Sequence, residues 1–159
     1  MNDWNHIRSV HGAALARVVA SYAAPGPDRE ELGQEVALAV VRALPNFRGE
    51  ASLKTYVLRI AHNVGMRHAV RRRARQTDPE VDVADASASP DQVLEASRDR
   101  ERLHAAIRRL PIGQRQVLAL ALEELSHREI GTALGISENA VATRLHRAKT
   151  ELRTLLGAS

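Results

Sequence analysis

The sequence predicts an all-α protein built as two small helical domains joined by a flexible acidic linker. Three observations carry that expectation. The chain is rich in Ala, Leu, Arg and Glu, which favour helices, and aromatic residues are only 3% of its 159 residues. Apolar residues, 44% of the total, recur at helical rather than alternating spacing. Proline falls between those periodic segments rather than inside them.

The first helix is expected over about Trp4 to Ala23, with Ile7, Val10, Ala14, Val18 and Tyr22 on its inner face. Pro25-Gly26-Pro27 ends it. A second helix opens with Asp28 as its N-cap and runs to Leu44, carrying the stripe Leu32, Val36, Ala39/Val40 and Ala43. After Pro45 and the turn Asn46 to Glu50, a third helix begins near Ser52 and continues to about Arg75. Leu53, Tyr56/Val57, Ile60/Ala61, Val64 and His68 mark its inner face.

The clearest break follows. Gln76 to Ser97 contains Asp78, Glu80, Asp82, Asp85, Asp91 and Glu95, no basic residue, and Pro79 and Pro90. Few large apolar side chains are present there to offset the entropy of ordering the backbone. Residues 76–91 are therefore read as a linker between a domain at 1–75 and another at 92–159.

In the second domain one helix is expected from about Gln92 to Arg109, stopping before Pro111. Another runs from Gly113 to Glu124 with Val117, Leu118, Ala121 and Leu122 inward. Ser126-His127-Arg128-Glu129 then fits a capping box, in which the serine hydroxyl accepts the third amide and the glutamate reaches back. Ile130, Ala133 and Leu134 face inward, and Gly135 provides the tight turn. Ser137 caps the last helix, whose buried stripe is Val141, Leu145, Ala148, Leu152 and Leu155.

A capped helix, a glycine turn and a basic second helix form a helix-turn-helix. Inserted into a major groove, the last helix offers Asn139, Thr143, His146 and Arg147 to base edges, while Arg144, Arg147 and Lys149 reach phosphates. An antiparallel helix pair that merely packs would not need that basic face. A second basic feature lies at the end of the third helix, where Arg67, His68, Arg71, Arg72, Arg73 and Arg75 crowd together. Cations there complement the helix dipole, but their density points to phosphate contact. Upstream, Tyr56, Arg59, His62 and Asn63 give a mixed polar and aromatic surface suited to an unstacked base.

Composition limits the other classes. The formal charge of +4 and a pI near 10.3 suit a polyanionic partner. With no cysteine there are no disulfides, thiolate metal sites or cysteine nucleophiles. The seven histidines show no HExxH spacing, and neither a phosphate-binding glycine loop nor a G-x-S-x-G elbow is present, so no enzyme and no cofactor are expected. No apolar run approaches a membrane span and the N-terminus does not read as a signal peptide, so a cytoplasmic location without membrane insertion is expected.

Taken in order, these segments resemble the extracytoplasmic-function sigma factors of bacterial RNA polymerase over almost the whole chain. Residues 8–75 resemble region two and residues 98–156 region four. Asp28 to Val36 is similar to the acidic helix by which the family grips the polymerase clamp; Leu44 to Ser52 is similar to the loop that captures a flipped-out base. Arg59-Ile60-Ala61-His62-Asn63 with the arginine cluster resembles the reader of the −10 element. Leu110-Pro111, Gln114 to Leu118, Leu125-Ser126, Leu134 to Ser137 and Arg144 to Ala148 follow the region-four pattern.

The resemblance implies a non-enzymatic subunit that directs core RNA polymerase to promoter DNA and is controlled by an anti-sigma factor. It assigns core binding to Glu31, Leu32, Gln34, Glu35 and Leu38. It assigns −10 contacts to Phe47, Arg48, Gly49, Ser52, Tyr56, Arg59, His62, Asn63, Arg67, Arg71 and Arg72. Contacts to the −35 element fall to Ser137, Asn139, Thr143, Arg144, His146 and Arg147. Ala37 and Val41 stand where the family usually has aromatics, and Ala140 and Ala142 where it often has Thr and a basic residue. Two other readings compete: a sigma mimic that sequesters an anti-sigma factor, and a stand-alone helix-turn-helix regulator.

Overall fold

The computed structural model describes residues 3–75 and 95–157. The expected linker, 76–91, and the first residues of the fourth expected helix, Gln92 to Leu94, lie outside them.

The first stretch forms three helices. Asp3 accepts the His6 amide and opens α1, Trp4–Ala20. The helix ends three residues before the expected point, and Ser21 to Ala23 continue as a buried turn. Leu15 and Val19 are buried beside Ile7, Ala14 and Val18. The inward arc is thus centred between two rows of side chains, and Val10 falls off its edge, 56% exposed rather than inward.

Gly26, at φ +116°, turns the chain into α2, Pro27–Ala43, with Pro27 in the first turn. Asp28 is therefore inside the helix rather than its N-cap. Its carboxylate instead accepts from Nε2 of His68 at 2.7 Å and from Arg72 at 3.3 Å, tying the start of α2 to the end of the next long helix. Leu32, Val36 and Val40 face the core at four-residue intervals. A 3-10 turn, Leu44–Asn46, leads to Phe47. Ser52 Oγ accepts the Thr55 amide at 3.0 Å and caps α3, Leu53–Arg75.

The second stretch forms α4 (Glu95–Arg108), α5 (Ile112–Leu122), α6 (His127–Leu134) and α7 (Glu138–Gly157). Arg115 is buried and donates to the carbonyls of Arg108 at 2.8 Å and Leu110 at 3.0 Å, which satisfies orphan acceptors at the end of α4. After α5, Glu124 adopts φ +69°, where glycine is usual, and Leu125 bonds back to Leu120. Leu122, expected inward, is 51% exposed. The helix ends there, at the margin of a groove also lined by Arg17, Leu103 and His104.

The two helical groups pack directly on each other, α5 and α6 lying against α3. One apolar cluster runs through both groups, and polar contacts tie the junction around it. Arg17 grips the Glu123 carboxylate with both Nε (2.7 Å) and Nη2 (2.8 Å), and Lys54 donates to the Glu123 carbonyl at 2.6 Å. Glu101 accepts from Arg29 at 3.0 Å and from Arg108 at 2.9 Å. Arg108 also donates to the Ala20 carbonyl at the end of α1. The Arg115 guanidinium lies 5.4 Å from the centre of the Tyr22 ring.

Candidate nucleic-acid and polymerase interface

The helix-turn-helix is built locally. Ser126 Oγ accepts the Glu129 amide at 3.1 Å and Glu129 accepts the Ser126 amide at 2.7 Å, so the capping box is complete. Gly135 sits at φ +72°, and the amides of Gly135 and Ile136 both return to the Gly131 carbonyl. Gly131 carries no signal of its own in the sequence, yet a Cβ there would lie 2.7 Å from the Ile136 carbonyl. The turn therefore needs two glycines, one for its dihedral and one for close approach. Ser137 Oγ then accepts the Ala140 amide at 3.0 Å and starts α7.

Val141, Leu145 and Ala148 anchor α7, which leaves Asn139, Thr143, His146 and Arg147 exposed on its other side. Arg144 differs from them. It is half-buried and folds back over Gly113, where a Cβ would stand 3.6 Å from its guanidinium. Ser137 spends its oxygen on the cap, although the residue stays exposed.

In the first helical group the rings of Phe47 and Tyr56 meet at 4.9 Å, and the Arg59 guanidinium lies 6.0 Å from the Tyr56 ring centre. The Tyr56 hydroxyl donates to the Ala43 carbonyl at 2.8 Å, which fixes the ring against the end of α2. Arg48, Gly49 (φ +77°) and Ser52 are exposed around this stack, and Asn63 is half-buried on the same helix. Arg67 is exposed one turn beyond. Arg71 pairs with Glu35 at 3.1 Å and Arg72 with Asp28, so part of the arginine cluster holds α3 to α2.

His62 does not join this surface. It is fully buried, and its Nδ1 lies 2.8 Å from the Tyr22 hydroxyl. The reason is its place on α3, in the row Leu58, Ala61, Gly65 that packs inward. Burial drives its pKa down to about 3, so the ring is neutral at pH 7.

On α2 the assigned core-binding residues divide by face. Glu31, Gln34 and Leu38 are exposed, with Leu38 at 50%; Val41 continues the strip at 43%, and Glu35 is half-buried. Leu32 is corrected to a core residue, fully buried because it lies on the opposite row with Val36 and Val40.

Among the described residues no group of three or more His, Asp or Glu side chains is placed to hold a metal ion, and no helix is long and apolar enough to cross a membrane.

Residues 8–76 match the family model for sigma-70 region 2 and residues 100–152 the model for sigma-70 region 4. The RNA polymerase sigma factor CnrH of Cupriavidus metallidurans is 32% identical, covering 93% of this chain and 83% of the relative. The chain belongs to the extracytoplasmic-function sigma factors. The group's SigE of Mycolicibacterium smegmatis is 30% identical over 98% of this chain and 62% of its own length. Among solved structures, CnrH in complex with the cytosolic domain of CnrY superposes on this sigma factor with a TM-score of 0.71. The two are 26% identical, over 98% of this chain and 88% of that one. The sigma factor RpoE of Bartonella quintana, solved with the anti-sigma factor NepR, shares the fold at a TM-score of 0.76. Its identity is 21%, over 99% and 98% of the two chains.

Proposed function

We propose that this sigma factor binds core RNA polymerase through the exposed strip of α2 and selects promoters with two separate readers. The observation that carries the reading is one chain presenting three unlike surfaces. These are an acidic-apolar strip (Glu31, Gln34, Glu35, Leu38, Val41), an aromatic-basic loop region (Phe47, Arg48, Tyr56, Arg59) and a polar-basic helix face (Asn139, Thr143, His146, Arg147).

Each surface suits one task. The α7 face enters the major groove of the −35 element and reads base edges. The Phe47–Tyr56 stack and Arg59 receive an unpaired base of the −10 element. Extruding that base costs a few kcal/mol, which stacking of about 1–3 kcal/mol per base offsets. Arg67 and the arginines after it contact the phosphates. The chain performs no chemistry of its own in this reading, and it works in the cytoplasm with the polymerase.

A proteinaceous inhibitor is part of the proposal. The two solved relatives above were captured with CnrY and with the anti-sigma factor NepR, and the exposed Leu38 and Val41 offer an apolar foothold for such a partner. The test is promoter binding by fluorescence anisotropy with and without core polymerase. Tight, sequence-specific binding only in the presence of core supports the reading. Equally tight specific binding by the chain alone would sink it and favour a stand-alone regulator.

A further inference from the structure

We propose that this sigma factor reads its −35 element as two adjacent A·T pairs. Asn139 takes the adenine of one pair, and the methyl groups of Ala142 and Thr143 take the thymine C5-methyl of the next. The inference rests on the promoter-reading role of α7 proposed above and adds the bases that the helix selects.

The orientation of α7 follows from what it buries. Val141, Leu145 and Ala148 point into the second helical group, and Leu152 packs in line with them. At about 100° per residue, positions 139, 143 and 146 fall on the opposite side, with 142 at its edge. All four are exposed. The start of the helix is also fixed, because Ser137 Oγ accepts the Ala140 amide at 3.0 Å. The face offered to DNA is thus set before binding.

What that face lacks shapes its preference. A guanine is taken by a bidentate Arg or Lys on O6 and N7. Between Glu138 and His146 the only Arg or Lys is Arg144, which is half-buried and folds back over Gly113. The first exposed one is Arg147, toward the far end of the reading face. Glu138, which could accept from a cytosine, sits on the side of α6: its amide lies 3.8 Å from where a Cβ on Gly131 would stand.

What the face offers is an amide and two methyls. Asn139 has no hydrogen-bond partner among the described residues, so its carboxamide is free to bond N6 and N7 of an adenine. Ala142 and Thr143 present their methyl groups side by side, and among the bases only thymine carries a methyl in the major groove. Asn139 and Ala142 are three residues apart, about 4.5 Å of helical rise, against ~3.4 Å between base pairs. The two contacts therefore fall on neighbouring pairs.

The test uses holoenzyme assembled from the full chain and bacterial core RNA polymerase, with a pool of promoter duplexes randomised over both elements. The selected −35 motif is expected to contain two adjacent A·T pairs. Uracil in place of thymine, which deletes only the methyl, should lower affinity about fourfold at one of them. At the adenine of the other, 7-deazaadenine, which deletes the N7 acceptor, should lower it about fivefold. Asn139→Ala should abolish the second effect and keep the first. Ala142→Gly combined with Thr143→Ser should abolish the first and keep the second. Ala142→Lys should exchange the selected thymine for guanine, a gain that misfolding cannot imitate. A −35 motif without adjacent A·T pairs, uracil tolerated at every thymine of the motif, or an unchanged selection by Ala142→Lys would each overturn the proposal and leave the sigma-factor role standing. A holoenzyme that selects no upstream motif at all contradicts that role as well.

Discussion

Nδ1 of His62 and the Tyr22 hydroxyl share a 2.8 Å hydrogen bond inside the first helical group, joining the middle of α3 to the turn after α1. Both groups are held neutral there: burial lowers the His62 pKa to about 3 and raises that of Tyr22. At pH 7 the imidazole is uncharged in the folded chain and mostly uncharged in the unfolded one. Below about 6.5 the unfolded chain takes up a proton that the folded chain refuses. Stability should therefore fall with decreasing pH, by up to about 1.4 kcal/mol per unit from this site. Urea unfolding between pH 7.5 and 4.5 checks it. His62→Gln should flatten the dependence, leaving the smaller shares of His11 and His104, whose pKa values burial also lowers.

The same contact makes Gly65 irreplaceable. A Cβ at this position would stand 2.5 Å from the Tyr22 ring, which is itself packed and cannot yield. Gly65→Ala should destabilise by about 1–3 kcal/mol through overpacking. Gly33, mid-helix in α2, should behave oppositely, because a Cβ there would meet nothing within 4 Å. Gly33→Ala should stabilise by about 0.5–1 kcal/mol. Denaturant midpoints of the two variants test both signs.

Leu32 and Leu38 on α2 separate folding from binding. Leu32→Ala empties a fully buried site and should cost about 2–5 kcal/mol of stability. Leu38→Ala, at a half-exposed site, should leave stability within about 0.5 kcal/mol of the parent yet weaken the complex with core polymerase. Thermal melting and a polymerase pull-down, run on the same preparations, distinguish the two.

On α7 the exposed Arg147 and the folded-back Arg144 should differ. Arg147→Ala should weaken holoenzyme binding to the −35 element. If its contact is to phosphate, the slope of log affinity against log salt falls by about 1; if it reads a base, preference at that position relaxes at a cost of about 1–3 kcal/mol. Arg144→Ala should act less on DNA and more on stability. Binding titrations at several salt concentrations report all of this.

Local features are legible in the sequence because their chemistry is local. The Ser126–Glu129 box, the Gly135 turn and the stripe of α7 each depend on residues within a few positions of one another. Placement on a face is less secure. His62 reads as polar surface beside Arg59 and Asn63, but it follows Ala61 and Leu58 on the inward row, where Tyr22 supplies its partner. The motif around Leu32 suggests a binding surface, whereas its row with Val36 and Val40 places it in the core. Asp28 reads as a cap because proline and glycine precede it, and its true partner, His68, lies 40 residues away. The junction leaves no trace at all: Arg17 and Glu123 are separated by 106 positions, and neither belongs to a periodic pattern that would pair them.

The central claim, that this chain lends core RNA polymerase its choice of promoter, is tested most directly by transcription in vitro. Purified chain and bacterial core polymerase are supplied with a pool of promoter fragments, and the RNA starts are sequenced. Starts clustered at a fixed distance downstream of a shared two-part motif, and absent without the chain, are the predicted result. Stable polymerase binding with no such starts, or no binding to a competent core, would contradict it.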